Sequence, residues 1–305
     1  MVRDVRARPT PRWLRAMAGK NPVGLLFSVP YAAFVALVFV YPLGFGIYIA
    51  FHDYFFAAPG AQVDRPFVGF ENFQEVLTDP KVLASFGHIA IFLVINVPLT
   101  VILALLLATA LNRAARFITV FRVAYYVPYI TASVATVTVW MFMFNSDGLV
   151  NTALGPLAPQ PSWLVNSFWA MPMIALYVTW KQLGFFILLY LAGLQNIPQE
   201  LYESARMDGA GWWQSFRAVT WPGVRPATAL VATLAIITGA NLFTEPYLLT
   251  GGGGPNGAST TPVLLIYQQG IQQNSPGTAS AIGIVLVVLV LALSWLARRA
   301  TEGKH

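Results

Sequence analysis

Apolar positions in this chain come in long runs rather than in narrow periodic stripes. Several windows of 18 or more residues carry no Asp, Glu, Lys or Arg, and about 20 apolar residues in a helix cross the hydrocarbon core of a bilayer. Six runs can be placed, at residues 25–50, 86–111, 123–144, 168–194, 227–249 and 278–296. Barrel strands would alternate with period two over about 10 residues, and the chain shows no such alternation. The pattern predicts an all-α, polytopic membrane protein with six transmembrane helices. Pro30, Pro42, Pro98, Pro128 and Pro172 lie in or beside these runs. Membrane helices tolerate proline because neighbouring groups satisfy the freed backbone.

Composition supports this class. Charged residues make up 10% of the chain and the mean hydropathy is +0.63, against about 25% charged in soluble domains. The net charge of +6 changes the picture only through its distribution. Fifteen of the eighteen basic residues fall before the first run, between the second and third, between the fourth and fifth, or after the sixth. Excess Lys and Arg mark cytoplasmic segments, so both termini are expected in the cytoplasm of a cell-membrane protein. The basic surplus reads as topology and not as a nucleic-acid footprint. The expected layout is a basic N-terminal segment (1–24), a six-helix membrane domain (25–297) and a short tail (298–305). The first run is too long for a signal-peptide core and lacks a cleavage site of small residues, so it is expected to be a retained span. There is no cysteine, which excludes disulfides, thiolate nucleophiles and Cys-based metal sites.

The outer connections, 51–85, 145–167 and 250–277, are rich in Pro and Gly. The sequence GGGGPNG at 251–257 is not a phosphate cradle, because no Lys-Ser/Thr follows it. It reads as a flexible outer loop. No nucleotide-binding motif occurs elsewhere.

One polar segment stands apart. Residues 196–226 lie on the cytoplasmic side and hold Glu200, Glu203, Arg206, Asp208, Arg217 and Arg225. Pro198 suits a helix start, and the two glutamates suit its positive end. Gly209 suits a left-handed C-cap. Trp212, Phe216 and Val219 then form an apolar stripe at i, i+4 and i+7, and Pro222 and Pro226 punctuate the entry to the next span. The segment is therefore a short helix, a glycine bend and a second short helix. Periodicity leaves two readings open: a helix lying on the inner leaflet, or one docked in a groove of a cytoplasmic partner.

Polar residues inside spans are costly and mark function. Lys181 in the fourth run and Glu245 near the outer end of the fifth are the charged candidates for a polar pathway, where they are expected to pair with each other. Asn96 and Asn241 are weaker ones. Trp140, Tyr177, Trp180 and Tyr247 offer aromatic faces, although aromatics at span ends commonly form interface belts. His88 has no evident partner.

The run ESARMDGA at 203–210, with Phe216 six residues on and Pro222 and Pro226 beyond, closely resembles the coupling loop of ABC-importer permeases. Ser204 stands where an alanine is usual. Further stretches are similar to the sugar-importer branch of the maltose and glycerol-phosphate permease type: FVGFENF at 67–73, YVPY at 126–129, LYLAGLQNIP at 189–198 and LLTGGG at 248–253. The resemblance covers most of the chain from the first span onward. It implies a type I ABC-importer permease architecture. It assigns ATPase coupling to Glu203, Ser204, Ala205, Asp208, Gly209, Ala210 and Phe216, within coupling helices over 198–222. It implies a second permease subunit, a cytoplasmic ATPase dimer that binds ATP and Mg, an external solute-binding protein and a sugar or related polar solute, with no cofactor or metal bound by this chain and no catalytic residue in it. The pathway candidates stay Lys181, Glu245, Asn241, Asn96, Trp180 and Tyr247. The alternatives are an ATP-independent secondary transporter or channel, against which the absence of an inverted repeat counts, and a membrane enzyme, for which no catalytic cluster is present.

Overall fold

The computed structural model describes residues 22–113 and 118–301. The basic N-terminal segment up to residue 21, residues 114–117 with Arg116, and the tail from residue 302 lie outside the described residues. Among the described residues the structure is helical, with one isolated antiparallel bridge, His52 to Phe67. Four helices are long and apolar enough to cross a membrane, or six if each of two bent pairs counts as one span.

Helix α1 (Pro22–Val35) runs through a π-turn into α2 (Tyr41–Ala50). This first span is hardly covered by the rest of the chain; its first buried side chains are Ile49 and Ala50, against the last helix. A short surface helix, α3 (Glu71–Thr78), precedes α4 (Pro80–Arg113). Helix α4 starts six residues before the second apolar run. Its 34 residues reach about 50 Å, well beyond the roughly 30 Å hydrocarbon layer, so its ends stand outside the apolar zone.

The third run does not form one helix. It divides into α5 (Ile118–Ile130) and α6 (Ser133–Phe144), and the chain bends by 103° between Val123–Ile130 and Ser133–Leu157. Pro128 withdraws one backbone donor from the last turn of α5, Thr131 turns its hydroxyl back onto the Val127 carbonyl at 2.7 Å, and Ala132 is extended, with ψ 132°. The connection that follows holds α7 (Leu149–Leu154) and two single 3₁₀ turns.

The centre of the fold is α8 (Ala170–Gln195), which packs along α4. One half of this seam buries Phe92, Met171, Ile174 and Tyr177, and the other buries Ala104, Ala108, Phe186 and Tyr190. Close approach relies on small residues, as is common between membrane helices. A Cβ on Gly184 would lie 2.3 Å from the Tyr125 carbonyl oxygen of α5.

The polar segment 196–226 forms α9 (Gln199–Met207), α10 (Trp212–Ser215), a π-turn over Phe216–Thr220 and α11 (Trp221–Gly223). The expected second helix is thus continuous but irregular, and it meets α12 (Arg225–Ala240) at 64°. The fifth run also departs from expectation. Helix α12 ends at Ala240, and the chain resumes as α13 (Thr244–Leu249). The Asn241 amide donates to the Ile237 carbonyl at 2.7 Å. Pro246, lacking an N–H, fits only the first turn of a new helix.

Nor is the 250–261 loop slack. Gly251, Gly252, Gly253, Gly254 and Gly257 all take positive φ, a region glycine enters without the Cβ penalty. The Gly252 and Gly253 amides donate to the Pro246 carbonyl at 3.2 and 3.3 Å, and the Ser259 amide donates to the Gly253 carbonyl at 2.8 Å. The chain then forms α14 (Pro262–Tyr267), a π-turn and α15 (Pro276–Thr301), which lies on α12 and α2.

Candidate functional site

The two helix breaks face the same part of α8. Lys181 of α8 donates a hydrogen bond to the hydroxyl of Ser133, the first residue of α6. Its Nζ lies 6.0 Å from the centre of the Tyr177 ring, and the Tyr177 hydroxyl bonds that of Thr136 on α6 at 2.7 Å. Trp140 meets Tyr177 edge-on at 5.4 Å and lies 5.7 Å from Trp180. Helix α13 packs on both α6 and α8, which brings half-buried Glu245 within electrostatic reach of Lys181. The expected pairing is not a direct one. Lys181 and Glu245 form no ion pair within 4 Å, and the ammonium is held by Ser133. The result is a half-buried cation, a half-buried carboxylate and a wall of Trp140 and Trp180, backed by fully buried Tyr177. Lys offers three donors, a carboxylate only acceptors, and the rings supply flat apolar faces with a polar rim. Such a set suits a neutral ring bearing hydroxyl groups, which both donate and accept.

The second feature is the polar elbow of α9 to α11. Glu200 sits in the first turn of α9 and Arg206 in its last, in the order the helix dipole favours. Helix α9 ends as expected at Gly209, with φ 74°. The Ala210 amide returns to the Ala205 carbonyl at 2.9 Å, closing the bend. Tyr202 holds α9 to the following turn through the Thr220 hydroxyl at 3.0 Å. The other side of α9 stays open: Glu203, Ser204, Asp208 and Gly209 are exposed, and Met207 is 89% exposed. Phe216 faces inward from the second half, with ring contacts to Trp212 at 5.8 Å and Trp213 at 5.6 Å. Among the described residues no group of three His, Asp or Glu side chains is placed to hold a metal ion.

Comparison with known proteins gives the family. Residues 91–301 match the family described as binding-protein-dependent transport system inner membrane component. The chain belongs to this family. The permease is 30% identical over 289 residues to the arabinooligosaccharides transport system permease protein AraP of Bacillus subtilis, covering 92% of this chain and 89% of that one. It is 33% identical over 274 residues to the trehalose/maltose transport system permease protein MalF of Thermococcus litoralis, covering 89% and 91%. Its fold is similar to a chain of a bacterial alginate ABC transporter in complex with an alginate pentasaccharide-bound periplasmic protein, with a TM-score of 0.71 at 23% identity, over 92% of this chain and 96% of that one.

In this permease the pathway candidates separate. Lys181, Trp180 and Glu245 come together. Asn96 does not join them: it is 1% exposed and donates to the Thr179 hydroxyl at 2.8 Å inside the α4–α8 seam. Asn241 is exposed and closes α12 through its own helix. Tyr247 stacks on Phe243 at 5.4 Å. His88 has a partner after all, the Thr260 carbonyl at 3.0 Å. Ser133 and Thr136 were missed, since nothing marks two hydroxyls in an apolar run until the break beside them is seen. Met207 was also missed, although an exposed methionine between Arg206 and Asp208 is a readable signal for a contact surface.

Proposed function

We propose that this permease forms, with a second permease subunit, the pathway by which a sugar or related polar solute enters the cell from an external binding protein. The bent pairs α5–α6 and α11–α12 are each taken as one span, giving six spans with both termini cytoplasmic. The charge distribution along the chain supports that topology. Lys181 and Glu245, with Trp140 and Trp180, are assigned to the pathway. The observation that carries this is the meeting of cation, carboxylate and aromatic wall at the breaks in the third and fifth spans, where freed backbone groups also become available to a solute. The sugar preference follows from the relatives, named for arabinooligosaccharides and for trehalose and maltose.

Energy comes from a partner ATPase dimer that binds ATP and Mg. Glu203, Ser204, Ala205, Asp208, Gly209 and Ala210 form the docking surface, and Phe216 ties it to the spans. An ATP-independent carrier is the competing reading, and the open face of α9 favours the coupled one. Assembly with the second permease, ATPase and binding protein, followed by assays of uptake and solute-stimulated ATP hydrolysis, tests both parts. Normal uptake in Lys181→Ala and Glu245→Ala would remove the pathway assignment. Unchanged stimulation in Gly209→Asp would remove the coupling assignment.

A further inference from the structure

A helix break within the membrane zone leaves carbonyls without partners, and each must be satisfied locally. At the break before α13 the acceptor is the carbonyl of Leu242, a residue 4% exposed. The Thr261 hydroxyl donates to it at 2.6 Å, from a residue that is fully buried and 19 positions away. The Thr261 hydroxyl oxygen in turn accepts the Leu264 amide at 3.3 Å and so caps α14. On the far side of Glu245, the Pro246 carbonyl takes the Gly252 and Gly253 amides. The short helix bearing Glu245 is thus gripped before and after that residue by one loop.

The loop has fixed points of its own. Ser259 bonds Thr250 through their hydroxyls at 2.7 Å, Gln268 donates to the Gly252 carbonyl at 3.3 Å, and His88 of α4 donates to the Thr260 carbonyl at 3.0 Å. Its glycines are needed for space as well as for φ. A Cβ on Gly253 would meet the Thr260 hydroxyl at 2.4 Å and one on Gly254 the Ser259 hydroxyl at 2.7 Å, whereas Gly251, also at positive φ, faces open space.

We propose that Thr261 is a positioning residue: by holding the Leu242 carbonyl it fixes the break in the fifth span and so sets Glu245 against α6 and α8. The role in transport rests on the assignment of Glu245 to the solute pathway; the role in geometry does not. The chain has no cysteine, so an introduced pair supplies its only thiols. Thr138 and Leu249, which line one cavity between α6 and the end of α13, are changed to cysteine in the full assembled transporter. Reaction with a short bis-maleimide then reports the geometry without reference to transport.

Thr261→Val, which keeps the shape and removes the donor, should lower cross-link yield severalfold. It should raise the KM for uptake about tenfold while the maximal rate changes little, the scale set by an unsatisfied buried acceptor. Thr261→Ser should restore both. Wild-type cross-linking in Thr261→Val overturns the proposal. Lost cross-linking with an unchanged KM upholds the positioning role and overturns the pathway role of Glu245. Should Thr261→Val fail to assemble, Gly254→Ala and Gly251→Ala are compared. Loss of cross-linking in the first alone supports the proposal, and equal behaviour of the two overturns it.

Discussion

Lys181, near the middle of α8, donates a hydrogen bond to the hydroxyl of Ser133, the first residue of α6. The contact joins the one ammonium of the α8 helix to the one place where α5 and α6 part. An ammonium in an apolar layer is costly unless hydrogen-bonded. A hydroxyl satisfies only one of its three N–H groups, which leaves donors for the solute contact proposed above.

Lys181→Met keeps the length of the side chain and removes the charge and all three donors. Uptake should fall by tenfold or more, with assembly and unstimulated ATP hydrolysis retained. Ser133→Ala should have a smaller effect, about threefold, because Lys181 keeps its charge; a neutral hydrogen bond contributes about 0.5–1.5 kcal/mol. The check is solute uptake against binding-protein concentration in proteoliposomes. Equal uptake in Lys181→Met and the parent would place the solute elsewhere.

Gly209 closes the elbow after α9 at φ 74°, and a Cβ there would meet nothing within 4 Å. The only cost of Gly209→Ala is therefore conformational, about 1 kcal/mol. Complex yield should drop slightly and solute-stimulated ATP hydrolysis should persist. Gly209→Val adds a β-branched side chain in the same region and should disrupt both the bend and the open face of α9. Pull-down of the ATPase by the permease pair separates the two: mild loss with alanine, severe loss with valine.

Much of this was legible in the sequence. Charge-free runs locate helices, and the glycine and acidic pattern of 196–226 gives the elbow, because both signals are local. The breaks were harder to read. Pro128 and Pro246 signal interruptions, but proline also occurs inside unbroken helices here, as at Pro98 of α4. Which proline ends a helix depends on what rescues the freed carbonyl. That partner is often remote, as Thr261 is for Leu242. The burial of Asn96 was hard to read for the same reason, since its partner Thr179 lies 83 positions away.

Asn96 should accordingly behave as a structural residue. Thr179 retains its bond to the Ala175 carbonyl at 2.8 Å when Asn96 is removed, so Asn96→Leu loses one hydrogen bond between helices. Such bonds contribute about 0.6 kcal/mol on average in membrane proteins. A small fall in the thermal midpoint of the detergent-solubilised complex is expected, with the KM for uptake unchanged. A KM raised tenfold with normal stability would return Asn96 to the pathway.

The most damaging small substitution should be Gly184→Ala, three residues along α8 from Lys181. The added Cβ would stand 2.3 Å from the Tyr125 carbonyl oxygen and 2.9 Å from the Tyr126 Cα. These are backbone atoms, so no rotamer change relieves the clash and α5 must move as a body. Overpacking of this kind costs about 1–3 kcal/mol. The displaced α5 leads straight into the break, so Ser133 should also be drawn from Lys181. Uptake should thus fall further than the loss of folded complex accounts for. Gly87→Ala is the matched control, since a Cβ at Gly87 of α4 meets nothing within 4 Å and the helix gains about 0.5–1 kcal/mol from the exchange. Thermal midpoint and uptake per folded complex, measured on both variants, decide it. A Gly184→Ala transporter as stable and active as Gly87→Ala would show that α5 does not bear on α8 as closely as the structure requires.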